Sequence, residues 1–173
     1  MARTTGPPDM SATNFQRLLA LLAEAEVEFV VIGGLAATVH GSAYVTYDVD
    51  VCYERSPANV ERLCRALASV HPQLRGAPGD IPFRFDLSTV LAGLNFTLDT
   101  DLGALDLLGE VPPLGEFPHV AAHAETVELF GFRVHVLSLE ALIRSKRAAG
   151  RPKDLLVIPE LEALLELRKR PPE

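Results

Sequence analysis

The chain alternates short β-branched runs with longer stretches of helical periodicity. Thr13 is expected to cap a first helix, because Phe15, Leu18, Leu19, Leu22 and Ala23 recur at helical spacing after it. "EFVVI" (Glu28 to Ile32) reads as a buried strand, ended by Gly33-Gly34, and "LAATVH" as a short helix stopped by Gly41-Ser42. Residues Asp48 to Tyr53, "DVDVCY", alternate with period two and predict a second strand. Ser56-Pro57 opens a helix with Val60, Leu63, Cys64, Leu67 and Val70 as its apolar stripe. The stretch His71 to Pro82 reads as a loop. Strands follow at Leu94–Leu98 and Ala104–Leu108, then an irregular Pro-rich stretch from Glu110 to Pro118. Thr126–Phe130 and Phe132–Leu137 read as a hairpin turning at Gly131. Ser138 caps a helix that ends at Gly150. Pro152 starts another, which Pro159 is expected to break, so that Glu160 falls in the first turn of a last helix.

This order predicts a mixed α/β (α+β) fold with flanking helices and a C-terminal helical tail over about 138–170. The 173 residues suit one domain over 12–173, with 1–11 as a flexible tail. The net charge of −7 excludes a general nucleic-acid coat, which needs a basic surface to release counterions. No apolar run reaches the roughly 20 residues of a membrane helix, so no membrane partner is expected. The two cysteines, Cys52 and Cys64, are too few for a disulfide scaffold and read as free thiols of a cytoplasmic protein.

The chemistry concentrates in the middle of the chain. A strand ending in two glycines at the start of a helix lets the backbone approach a phosphate. Asp48 and Asp50, at i and i+2 on a strand, share one face, roughly 6.5–7 Å apart along the chain. Two such carboxylates repel unless a cation sits between them, and magnesium prefers oxygen ligands of this kind. Asp106, inside the apolar run "GALDLLGE", is costly there unless bonded, and is the expected third acid of a two-metal site. Asp99 and Asp101 flank a turn instead. Arg144, Lys146, Arg147, Arg151 and Lys153 form the main basic concentration.

These residues resemble the polymerase-β-like nucleotidyltransferase superfamily, in which an apolar strand, Gly-Gly or Gly-Ser and a short helix precede Asp-x-Asp. Ile32-Gly33-Gly34, Asp48-Val49-Asp50 and Asp106 carry the likeness, with thirteen residues between Gly34 and Asp48. The stretches "VIGGLAATVHGSAYVTYDVDVCY" and "LSLEALIRSKRAAGRPKDL" are similar to the minimal nucleotidyltransferases of bacterial toxin–antitoxin and abortive-infection systems. The resemblance implies a nucleoside triphosphate bound at Gly33 and Gly34, with Ser42, Lys146, Arg151 and Lys153 as further nucleotide-binding residues. It implies Mg2+ (Mn2+ as an alternative ion) on the catalytic acids Asp48, Asp50 and Asp106. The implied acceptors are a tRNA 3′ end or a protein hydroxyl, then a small molecule such as an antibiotic; an antitoxin protein is an implied partner. A non-catalytic binding module is the contrasting expectation. Two departures stand out: tyrosine at 44 and 47 where many relatives carry arginine, and Gly34 in place of serine.

Overall fold

A computed structural model describes residues 13–173. The expected tail at 1–11 lies outside the described residues. Strands β1 (Phe29–Ile32), β2 (Asp48–Tyr53), β3 (Gln73–Leu74), β4 (Phe96–Thr100), β5 (Gly103–Leu108), β8 (Ala124–Leu129) and β9 (Phe132–Leu137) form one mixed sheet, in the order β3-β4-β5-β2-β1-β9-β8. A two-residue pair, β6 (Glu110–Val111) with β7 (Gly115–Glu116), stands apart from it. The helices are α1 (Phe15–Glu24), α2 (Gly33–Val39), α3 (Pro57–Ala68), α4 (Leu87–Ala92), α5 (Phe117–Ala122), α6 (Leu139–Ala149) and α7 (Pro152–Lys169).

Strand β2 sits at the centre, antiparallel to β1 and parallel to β5. Its Val49 and Val51 are fully buried, as the alternation requires, while Asp48 and Asp50 on the opposite face are half-buried. Cys52 shares the acids' face yet is also fully buried, because that end of the strand is covered. The apolar stripes of α1 (Leu18, Leu19, Leu22) and α3 (Val60, Leu63, Leu67) close over the core. Ser56 caps α3 by accepting a hydrogen bond from the Asn59 N–H, with Pro57 in the first turn. The hairpin turns at Phe130-Gly131, both at positive φ, which matches the twist of the flanking strands.

Several expectations are corrected. The cap of α1 is Asn14, whose side chain accepts from the Arg17 N–H. The Thr13 hydroxyl instead donates to the Tyr47 carbonyl and accepts from the Ala104 N–H at 3.2 Å, tying the chain's beginning to β2 and β5. Pro159 does not break the last helix: α7 runs through it. Val157 and Ile158 before the proline, and Leu161 after it, are all buried, so tertiary packing holds both halves in line. The carbonyl that loses its donor belongs to Leu155, a half-exposed residue. Glu160 therefore lies in mid-helix and not in a first turn. The two-residue β3 arises inside the stretch read as loop, and helices α4 and α5, six residues each, arise where no element was expected, since such lengths show no period. Among the described residues no helix is long and apolar enough to cross a membrane.

Candidate active site

Pairing in the sheet decides which acids meet. The parallel register of β2 and β5 sets Asp50 directly beside Asp106, and Asp48 beside Ala104. Since side chains alternate along each strand, Asp48, Asp50 and Asp106 emerge on one face. One carboxylate oxygen from each lies within 4.8 Å of the others. Asp99 and Asp101 fall elsewhere: Asp99 pairs with Arg75, and Asp101 with His71 at 2.6 Å.

Crowding shows in the electrostatics. Burial pushes the Asp50 carboxyl up to about 7, helped by the charge of Asp106, a hydrogen bond shared with it, and the charge of Asp48; Lys146 opposes the shift. Asp106 Oδ1 is buried without a hydrogen bond, and its cationic neighbour is Arg75 Nη2 at 2.9 Å. A buried carboxylate oxygen that has an ionic neighbour but no hydrogen bond, inside a three-carboxylate cluster, fits a hard divalent cation. Gly33, at φ +64°, opens α2 against this cluster. A Cβ there would lie 2.1 Å from Asp50 Oδ2, so glycine is needed for both conformation and space.

Facing the acids across a cavity of about 410 Å³ are Ser145, Lys146, Arg151, Lys153 and Asp154 from α6 and the start of α7. Gly150 in the left-handed conformation ends α6 and lets the chain turn back into α7. Asp154 is almost fully buried at this turn. It accepts from Arg151 Nε at 2.6 Å and Nη2 at 3.2 Å, and from Lys146 Nζ at 3.4 Å. Burial works against its ionisation, but Arg151 and Lys146 more than offset it and hold the carboxyl below its ordinary value. Leu108, Val111 and Pro112 add an apolar part to the lining, with Asn95 and Thr97 beside it, while the side chains of Phe96 and Leu107 turn to the core on the opposite face of their strands.

Thus Gly33, Asp48, Asp50, Asp106, Lys146, Arg151 and Lys153 line one cavity. Ser42 and Gly34 do not. The Ser42 hydroxyl donates to Glu160 of α7, whose other oxygen accepts from the Ala43 N–H at 3.1 Å. Gly34 packs against Thr46, where a Cβ would meet Oγ1 at 2.5 Å. The sequence reading passed over Arg75 and Asp154, and took Glu160 only as a first-turn helix acid. Asp154 had a signal, as the lone acid within the basic run at 151–154; Arg75 had none, lying in a Pro/Gly-rich stretch.

No family model matches the chain. Nor does any curated protein. Among solved structures it is similar to the lincosamide antibiotic adenylyltransferase LnuA bound to lincomycin, with a TM-score of 0.58 and 14% identity over 88% of this chain and 99% of that one. It is also similar to TM1012 of Thermotoga maritima, assigned as a nucleotidyltransferase, with a TM-score of 0.51 and 17% identity over 92% and 98%. The chain has a polymerase-β-like nucleotidyltransferase fold. On that fold, the acidic end of β2 and the basic α6–α7 turn face each other across one cavity.

Proposed function

We propose that the chain is a metal-dependent nucleotidyltransferase that moves a nucleoside monophosphate from a triphosphate to an acceptor hydroxyl. The observation that carries this reading is the convergence of three carboxylates opposite Lys146, Arg151 and Lys153 across one cavity. Asp48, Asp50 and Asp106 would hold magnesium, or manganese in its place. When bound, the metal neutralises phosphate charge and lowers the barrier to attack at phosphorus. Lys146, Arg151 and Lys153 place positive charge along the triphosphate. Gly33 lets the phosphates approach the backbone. Asp106 accepts the acceptor's proton as its oxygen bonds to the α-phosphorus, the bond to the β-phosphate oxygen breaks and pyrophosphate departs. Ser42 serves the site through Glu160 by fixing the loop that leads into Asp48.

A tRNA 3′ end or a protein hydroxyl is the acceptor suggested by the resemblance to toxin–antitoxin nucleotidyltransferases, and an antitoxin protein would then be its partner. The apolar lining at Leu108, Val111 and Pro112 favours a second reading, a small-molecule hydroxyl with an apolar face such as an antibiotic. The fold shared with a lincosamide adenylyltransferase accords with it. Incubation with each α-labelled triphosphate, magnesium and either total cell extract or a panel of hydroxylated small molecules tests both. Label should enter an acceptor and pyrophosphate should appear. Asp48→Ala and Asp50→Ala should each abolish labelling while remaining folded by circular dichroism. Undiminished labelling in both variants would refute the proposed site, and nucleotide binding without pyrophosphate release would assign a binding module instead.

A further inference from the structure

Arg75 is a feature the reaction outlined above leaves unused. It follows β3, where its N–H donates to the Thr97 carbonyl at 2.9 Å and extends the β3–β4 pairing by one bond. Its guanidinium then reaches across the sheet to the acids. Nη2 lies 2.9 Å from Asp106 Oδ1, and Nη1 lies 4.0 Å from Asp48 Oδ2. Among the described residues no other basic side chain comes within 4.0 Å of a triad carboxylate. Two further contacts lie outside the triad: Nε donates to Asp99 Oδ1 at 3.0 Å, and Nη2 donates to the Leu98 carbonyl at 2.7 Å.

We propose that Arg75 is a built-in counter-cation of the metal site, holding the triad in the metal-free chain and tying metal entry to nucleotide. The inference rests on the nucleotidyltransferase reading and adds an order of binding to it. Three crowded carboxylates need positive charge when no ion is present, and Arg75 supplies it at the oxygen of Asp106 that otherwise has no hydrogen bond. A divalent ion entering alone meets this guanidinium as a like charge beside its own ligands, so it binds weakly. A triphosphate arriving with the ion adds several negative charges and reverses the balance. Asp99 and the Leu98 carbonyl retain the displaced guanidinium at the rim, so it need not be released into solvent. Without the inner contact, Arg75 remains beside the cavity as a further positive group.

Calorimetric titration of the full chain with Mn2+ alone tests the idea in wild type, Arg75→Gln and Arg75→Lys. Arg75→Gln should bind Mn2+ at least tenfold more tightly than wild type, and Arg75→Lys within about threefold of it, because lysine keeps the charge. The advantage of Arg75→Gln should shrink below about threefold when Mn2+ is delivered with the four α,β-methylene nucleoside triphosphates. Arg75→Met gives the same comparison if the glutamine variant does not fold. Equal or weaker Mn2+ binding by the uncharged variant overturns the counter-cation role and leaves the metal site standing. An advantage undiminished by nucleotide overturns the coupling. Failure of every form, wild type included, to bind millimolar Mn2+ either alone or with the nucleotide analogues removes the metal site and this inference together.

Discussion

Asp50 concentrates the consequences of crowding. Its carboxyl sits near 7, above the ordinary aspartate range, because burial and two neighbouring acids disfavour its charge. The folded, metal-free chain therefore holds a proton that the unfolded chain releases between about pH 4 and 7. Without metal, this group's contribution to stability falls as pH rises through that window. Metal binding runs the other way, since it needs the ionised form. Mn2+ affinity is expected to drop about tenfold per unit below pH 7, where one proton is displaced per ion, and calorimetry at pH 6 and pH 8 measures it. Gly33 has equally local reasons. Gly33→Ala places a β-carbon in the left-handed region, at about 1–2 kcal/mol, and drives it into Asp50 Oδ2. Urea unfolding should show at least that loss, and Mn2+ binding should weaken as Asp50 is displaced.

At the scale of elements, the turn from α6 to α7 depends on Asp154. Its contacts orient both Lys146 and Arg151 toward the cavity. Asp154→Asn keeps the shape but removes the charge that holds two cations, and charge-assisted hydrogen bonds contribute about 1.5–3 kcal/mol. Stability should fall by roughly 2 kcal/mol. The Michaelis constant for triphosphate should rise more than turnover falls, which steady-state kinetics separates. The elements differ in how plainly the sequence announced them. Helix α3 was legible because cap, proline and apolar stripe agree. Helices α4 and α5 were not, because six residues complete fewer than two turns. Helix α7 misled at Pro159, where the local rule against proline yields to burial of Val157, Ile158 and Leu161.

Across the whole molecule, the cavity joins strands from the middle of the sheet to helices from the end of the chain. A ligand that bridges them should stabilise the fold as a unit. At about 100 times its dissociation constant, a bound metal–nucleotide pair adds about 2.7 kcal/mol. For a chain of this size that raises the melting temperature by about 5–10 °C. Differential scanning fluorimetry should show this shift in wild type and its absence in Asp48→Ala and Asp50→Ala. The sequence by itself determined the glycine turn, the shared face of Asp48 and Asp50, and the basic helix, because strand alternation and helix capping are local rules. It also singled out Asp106, since an acid inside an apolar strand needs a partner. Only the tertiary structure decided that Asp106 stands beside Asp50, that Ser42 bonds to Glu160, that Arg75 pairs with Asp106, and that Asp154 pairs with Lys146 and Arg151. Those facts depend on sheet register and on contacts between residues distant in the chain, and no local spacing encodes either.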